Sequence, residues 1–291
     1  MKNDIIFKRR LPDHFKQRIA RSPKLKEVSE TLAKLGLHTV CEEARCPNRN
    51  HCYSEGTATF LIMGDCCTRS CSFCAIAKRI PQKLDKNEPS AVADATAGLK
   101  LKYVVITSVT RDDLPDGGAG HFVRVIDAVR KRNPGIRMEV LTPDFNGLED
   151  SIDLVIGARP DIFNHNLETI ERLYPKVRPQ ADYKRSLALI DRVKKSGLIT
   201  KSGLMAGLGE TLTEIKQAMA DLFRSGCDII TIGQYLAPSE LHHPVTRYWE
   251  PREFEECRAY GQDLLGLKAV VAGPLVRSSY YAHQTYQTIK H

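Results

Sequence analysis

The sequence predicts an α/β fold, an open, partial (β/α)6 barrel of the TIM type. Three observations carry that reading. Six short apolar runs recur along the chain, amphipathic stretches of helical period separate them, and several of those stretches end in glycine just before the next run (Gly98, Gly197, Gly226). Alternation of this kind builds a parallel sheet with right-handed crossovers. Six units are too few for a closed eight-fold barrel.

The elements follow in order. Residues 24–36 (KLKEVSETLAKLG) place Val28, Leu32 and Leu35 on one helical face, with Gly36 as the stop. Residues 41–56 are polar and cysteine-rich without apolar periodicity, which reads as a loop. Strands are expected at Thr59–Met63, Tyr103–Thr107, Arg137–Leu141, Ile162–Asn164, Thr200–Met205 and Ile229–Ile232. Helices are expected at Ala91–Leu99, Gly120–Lys131, Leu148–Ala158, Tyr183–Ser196 and Thr213–Ser225, and a late run, Lys268–Gly273, offers one further strand. Polar and glycine-rich residues follow the strands, so six loops decorate the face where such folds bind ligands. The domain reading is an N-terminal arm and loop over 1–56, then one catalytic domain over 57–291.

An apolar fraction of 42% and a charged fraction of 27% suit a soluble globular protein. No run of eighteen apolar residues offers a membrane span. The first residues, MKNDIIFKRRLPDHFKQR, carry charge where a secretory signal needs an apolar core, so a cytoplasmic protein is expected, or an organelle-matrix one. The net charge of +8 is concentrated at one end, because residues 1–26 hold nine Lys or Arg against Asp4 and Asp13. A basic arm on a near-neutral body suggests an acidic partner, or simply a solvated segment.

The cysteines are more informative. Seven of the nine fall between positions 41 and 74; Cys227 and Cys257 read as buried structural thiols. An odd, clustered set argues against a disulfide framework and for metal or cluster ligation. Cys41, Cys46 and Cys52 are spaced C-x4-C-x5-C, and Cys67, Cys71 and Cys74 are spaced C-x3-C-x2-C. Cys66 falls outside both triplets, as a small residue finishing the strand-to-loop turn. Structural zinc normally takes four ligands in paired spacings, which neither triplet supplies. A 4Fe–4S cluster held by three cysteines keeps one iron open for chemistry.

The C-x3-C-x2-C spacing after the first strand, with Phe73 before its last cysteine, resembles the signature of the radical S-adenosylmethionine enzymes. The upstream triplet, together with Arg277-Ser278-Ser279-Tyr280, resembles the lipoyl synthase family. So do "CEEARCPN", "FLIMGDCCTRSCSFC", "TSVTRDDLPDGGA", "FNHNLET" and "GLMAGLGE", which spread the resemblance along nearly the whole chain.

The resemblance implies a partial barrel of the radical S-adenosylmethionine kind. It implies insertion of two sulfur atoms at C6 and C8 of an octanoyl-lysine on a lipoyl carrier domain. Two S-adenosylmethionine would be cleaved to 5′-deoxyadenosine and methionine per product. Cys67, Cys71 and Cys74 would hold the radical-generating 4Fe–4S cluster. Cys41, Cys46 and Cys52 would hold an auxiliary 4Fe–4S cluster that donates sulfur, its fourth ligand Ser279 or its neighbour Ser278. Thr107, Ser108, Asn166 and Glu168 would contact S-adenosylmethionine. Gly207 and Gly209 would let the backbone approach its adenine, Arg277 would orient the serine ligand, and His242 and His243 would line the substrate mouth. Implied partners are octanoylated carriers (2-oxoacid dehydrogenase E2 subunits, glycine cleavage H protein), a ferredoxin- or flavodoxin-type reductant and a cluster-rebuilding carrier. Neither nucleic acid nor membrane is expected. The basic arm would then steer an acidic carrier or reductant.

Two other readings compete. A biotin synthase-like sulfur inserter lacks the upstream triplet and the serine motif. A zinc- or cluster-stabilised nucleic-acid-binding protein would need a basic groove with interleaved aromatics, which this sequence does not display.

Overall fold

A computed structural model describes residues 11–15, 22–55 and 57–290. Of the basic arm, Lys2, Lys8, Arg9, Arg10, Lys16, Arg18 and Arg21 lie outside the described residues. Helix α1 (Pro23–Leu35) starts where the Ser22 side chain accepts from the Lys24 amide, and Pro23 fits its first turn. It ends at Gly36, whose left-handed φ of 62° suits a residue without a Cβ.

The expected loop 41–56 folds instead into two short helices, α2 (Val40–Glu43) and α3 (Arg49–Ser54), preceded by a two-residue strand β1 (His38–Thr39). The Thr39 side chain caps α2 by accepting from the Glu42 amide, a local bond that needs no apolar period.

The barrel strands are β2 (Thr59–Ile62), β3 (Tyr103–Ser108), β4 (Arg137–Leu141), β5 (Ile162–Asn164), β6 (Ile199–Ala206), β7 (Ile229–Gln234) and β8 (Ala269–Gly273). All seven run parallel in sequential order, and β1 adds antiparallel to β2. The six expected strands are β2–β7. The late run is a seventh parallel strand, so the partial barrel carries one strand more than six units imply.

Helices α4 (Glu88–Gly98), α5 (Ala119–Arg132), α6 (Glu149–Gly157), α7 (Tyr174–Val177), α8 (Tyr183–Lys195) and α9 (Leu212–Arg224) make the crossovers. α9 opens with a capping box between Thr211 and Glu214. α10 (Pro251–Ala259) follows β7, and α11 (Ala282–Lys290) follows β8.

Side chains alternate across a strand, so each strand feeds two different environments. Val104, Ile106, Val140, Phe163, Ile230 and Ile232 face the helices and share one core with Phe122, Ile126, Ile190 and Leu222. Their neighbours Tyr103, Val105, Ile162, Ile229 and Ala269 face the lumen and form a second apolar cluster with Ala282 and Tyr286 of α11. Tyr103, Ile162, Ile229 and Ala269 each begin their strand, so α11 closes the amino-terminal end of the barrel.

Between that plug and the open end, the lumen is polar. Lys201 Nζ stands 2.8 and 3.1 Å from the two carboxylate oxygens of Glu139, and both side chains are fully buried. Tyr103 Oη donates to the same carboxylate at 2.7 Å and Asn164 Nδ2 at 2.9 Å. A buried ion pair survives only with such added hydrogen bonds.

Residues 274–281 thread this lumen from the end of β8 down to α11. The Pro274 carbonyl accepts from the Gln234 amide, the Leu275 carbonyl from Asn48 Nδ2 at 2.6 Å, and Ser278 Oγ from Asn164 Nδ2 at 2.8 Å. Nothing periodic in this segment announces its path.

Candidate functional site

One cavity of about 1090 Å³ runs along the lumen, from Cys67 and Phe73 at the open end to Tyr103 and His283 near the plug. It gathers both cysteine triplets, Thr107, Ser108, Asn166, Glu168 and Ser278-Ser279. The C-x3-C-x2-C loop leaves β2 through Met63 and Gly64, both at positive φ (68° and 89°). Glu88 at the start of α4 holds that corner, accepting from the Met63 amide at 2.8 and 3.1 Å and lying 2.5 Å from His121 Nε2.

Arg69, inside the loop, is almost wholly buried. It donates to both carboxylate oxygens of Asp112 at 2.7 and 3.0 Å, and its Nη2 lies 2.6 Å from Asp144 Oδ1. Burial works to raise the Asp144 pKa, but Arg69 prevails and holds that carboxyl well below the usual range. Cys67 Sγ accepts from the Arg69 and Thr110 amides at 3.5 and 3.4 Å. Cys66 turns away: it is buried, bridges to Ala77 and donates from Sγ to Asp65 at 3.0 Å.

The upstream triplet sits on α2, the following turn and α3. Its segment meets the lumen segment at the Asn48–Leu275 bond and where His51 Nε2 lies 3.2 Å from Tyr281 Oη. Burial pushes the Cys41 thiol up to about 11 and those of Cys52 and Cys74 up to about 12, with neighbouring cysteines adding to the rise. Cys71 is raised for the same first reason. The thiols surround a volume rather than a point. Among the described residues, no three His, Cys, Asp or Glu side chains converge closely enough to hold one metal ion.

The remaining candidates divide. Ser108 Oγ is buried without a partner, an unspent hydroxyl on the cavity wall, whereas Thr107 Oγ1 is committed to the Leu141 carbonyl at 2.9 Å. Asn166 Nδ2 donates to Glu168 Oε1 at 3.1 Å, and Glu168 holds a left-handed φ of 66°. Burial raises the Glu168 carboxyl against the pull of Arg178. Ser279 Oγ accepts a single bond, from Thr59 Oγ1 at 2.9 Å, while Ser278 Oγ is engaged with two asparagines.

Of five further candidates, Gly207, Gly209, His242, His243 and Arg277, only Arg277 lines the cavity. Gly207 is absent from the cavity wall, and a Cβ there would meet Gln234 Nε2 at 2.1 Å, so the glycine serves packing. Gly209 also stands off the wall. His243 ties loops together, its amide donating to the Ser72 carbonyl at 2.8 Å and its Nε2 lying 2.8 Å from the Leu208 carbonyl; neither it nor His242 lines the cavity. Arg277 Nη1 donates to the Val276 carbonyl at 2.7 Å rather than to either serine. Burial lowers its pKa, and Cys46 is the group that opposes the fall.

The sequence reading missed Arg69, Thr59 and the Glu139–Lys201 pair. For the last, the signal was present: Glu139 and Lys201 are charges inside the apolar runs RMEVL and ITKSGLMA.

Comparisons with known proteins agree with this geometry. The radical SAM superfamily model matches residues 61–222, and the model of the N-terminal domain of lipoyl synthase matches residues 2–46. A lipoyl synthase of Caldicellulosiruptor saccharolyticus is 52% identical over 280 residues, 96% of this chain and 98% of its own. One of Rubrobacter xylanophilus is 54% identical over 275 residues, 94% of this chain and 85% of its own.

The chain belongs to the lipoyl synthase family.

Membership of the lipoyl synthase family makes the chain a sulfur-inserting enzyme of the radical SAM superfamily, with a 4Fe–4S cluster and S-adenosylmethionine as its cofactors. Solved structures show the same fold. Methylornithine synthase (PylB) superposes with a TM-score of 0.54 at 13% identity, covering 83% of this chain and 74% of its own. HydG, a maturase of the FeFe hydrogenase, gives 0.57 at 14%, covering 93% and 66%. Among the described residues, no helix is long and apolar enough to cross a membrane.

Proposed function

We propose that the chain inserts sulfur at C6 and C8 of an octanoyl-lysine presented by a lipoyl carrier domain, using two S-adenosylmethionine per product. Cys67, Cys71 and Cys74 are the ligands of the radical-generating cluster; Cys41, Cys46, Cys52 and Ser279 are those of a second, auxiliary 4Fe–4S cluster. The observation that carries this reading is that both triplets and Ser279 line one lumen. When bound, the first cluster supplies the electron that cleaves S-adenosylmethionine, and the second supplies the sulfur.

The donor set fits. Each triplet offers three thiols to one cavity, and Ser279, with one side-chain partner against two, is the freer of the two serines. An alkoxide is a harder ligand than a thiolate and less usual on iron. Because the thiols are pushed up by burial, loading releases protons. Ser108 offers its unspent hydroxyl to S-adenosylmethionine, Asn166 and Glu168 flank it, and Phe73 packs beside the cysteines. Arg69 holds the loop so that its thiols keep their spacing.

Residues 57–291 form the catalytic domain, and 1–56 supply the arm and the second cysteine set. The carriers are 2-oxoacid dehydrogenase E2 subunits and glycine cleavage H protein. A ferredoxin- or flavodoxin-type donor gives the electrons, and a separate carrier rebuilds the consumed cluster, in a cytoplasmic setting.

The test is mass spectrometry of an octanoyl-lysine peptide incubated anaerobically with reduced protein and S-adenosylmethionine. Gain of two sulfur atoms, by way of a singly thiolated species, is expected. Release of 5′-deoxyadenosine without sulfur gain overturns the assignment.

A further inference from the structure

A chain of hydrogen bonds runs from the buried ion pair to the cavity wall, and its proton directions are forced. Glu139, paired to Lys201, accepts from Asn164 Nδ2 at 2.9 Å. That orients the Asn164 amide, whose second N–H goes to Ser278 Oγ at 2.8 Å. Ser278, which accepts there, keeps its one proton for Asn166 Oδ1 at 2.8 Å. The Asn166 amide is thereby set with its nitrogen toward Glu168 Oε1, 3.1 Å away. Against the two acceptor carboxylates, turning either amide would set oxygen against oxygen. The close fit is shared by Gly203, where a Cβ would stand 2.7 Å from Asn166 Oδ1.

Ser278 therefore touches two things at once. Through Asn166 it reaches the wall assigned to S-adenosylmethionine. Through the backbone it is joined to Ser279 on the lumen segment. We propose that Ser278 is a positioning residue that couples occupancy of the S-adenosylmethionine site to the seating of Ser279. The inference rests on the functional reading above. A ligand that restrains Asn166 restrains the hydroxyl bonded to it, and such coupling is reciprocal: a seated segment strengthens ligand binding by the same factor.

The experiment uses the full chain, reconstituted anaerobically, as wild type, Ser278→Ala and Ser278→Thr. Three quantities are read: iron content, the dissociation constant for S-adenosylmethionine, and amide hydrogen exchange over 276–281 with and without saturating S-adenosylmethionine. In the wild type, S-adenosylmethionine slows exchange over 276–281. Ser278→Ala keeps the iron held by Cys67, Cys71 and Cys74, weakens binding about five- to tenfold, as loss of one neutral hydrogen bond would, and abolishes the protection. Ser278→Thr, which retains the hydroxyl, restores both.

Wild-type exchange that ignores S-adenosylmethionine overturns the coupling whatever the variants do. So does Ser278→Ala with wild-type affinity and protection. Wild type that carries both clusters yet binds no S-adenosylmethionine defeats the functional reading instead, and is recognised by absent binding rather than absent coupling.

Discussion

The carbonyl oxygen of Val276 occupies the space that a side chain on Gly233 would need, 1.9 Å from an ideal Cβ there. Gly233 is the lumen-facing residue near the end of β7, so the sheet was left bare at the point where the lumen segment crosses it. The obstacle is backbone rather than the flexible tip of a side chain. Gly233→Ala must push the segment aside, at a cost of about 1–3 kcal/mol for overpacking. The expected outcome is a lower urea midpoint and loss of sulfur insertion, with S-adenosylmethionine cleavage retained. Unimpaired sulfur insertion in this variant would mean that the segment tolerates displacement.

Arg69 supports the other cysteine set. Replacing it with Met leaves Asp144 buried with Arg185 as its remaining cation and frees Asp112 to solvent. Breaking a buried pair costs about 3–5 kcal/mol, and the surviving Arg185 contact moves the expectation to the lower end. Equilibrium unfolding gives that figure, and iron analysis after reconstitution should show loss confined to the radical-generating site.

The two triplets are separable by chemistry. Cys41→Ala should keep 5′-deoxyadenosine production and lose sulfur insertion, whereas Cys67→Ala should lose both. Product analysis by mass spectrometry distinguishes them. Lipoyl product from the Cys41 variant would remove the donor role from the upstream triplet.

His165 gives a pH dependence with a definite sign. Burial, then the Arg178 charge, lowers its pKa to about 4 in the folded chain, against 6.5 when unfolded. The folded state therefore keeps the neutral ring, whose Nδ1 lies 2.9 Å from the Thr142 carbonyl. Stability is full above the unfolded value and falls as pH drops from about 6.5 towards 4, by up to about 3 kcal/mol. Urea titrations across that window should show the slope, and His165→Asn should flatten it. A wild-type midpoint that stays level from pH 7 to 4.5 would contradict the burial argument.

Much of this molecule was legible before its fold. The six strands β2–β7 announced themselves by apolar runs, because a strand covered by helices on one face and a lumen on the other has little solvent to alternate against. The cysteine spacings pointed to their chemistry for a similar reason, being local. The misses are long-range. β1 is two residues long and exists only through its pairing with β2. The loop expected at 41–56 became helical through caps and contacts with residues far along the chain. Thr107 donates its hydroxyl to β4 and Gly207 packs against Gln234, partners that lie far along the chain. Which donors remain unspent depends on partners that no local pattern names.

The lumen segment also imposes an order of manufacture. Ser279 comes after every barrel strand in the chain yet sits inside the barrel those strands build. At about 5–20 residues per second of synthesis, Cys52 emerges on the order of 10 to 50 seconds before Ser279. On the reading proposed above, the radical cluster's three cysteines are made early, and the donor cluster's ligand set closes only when Ser279 has been drawn in.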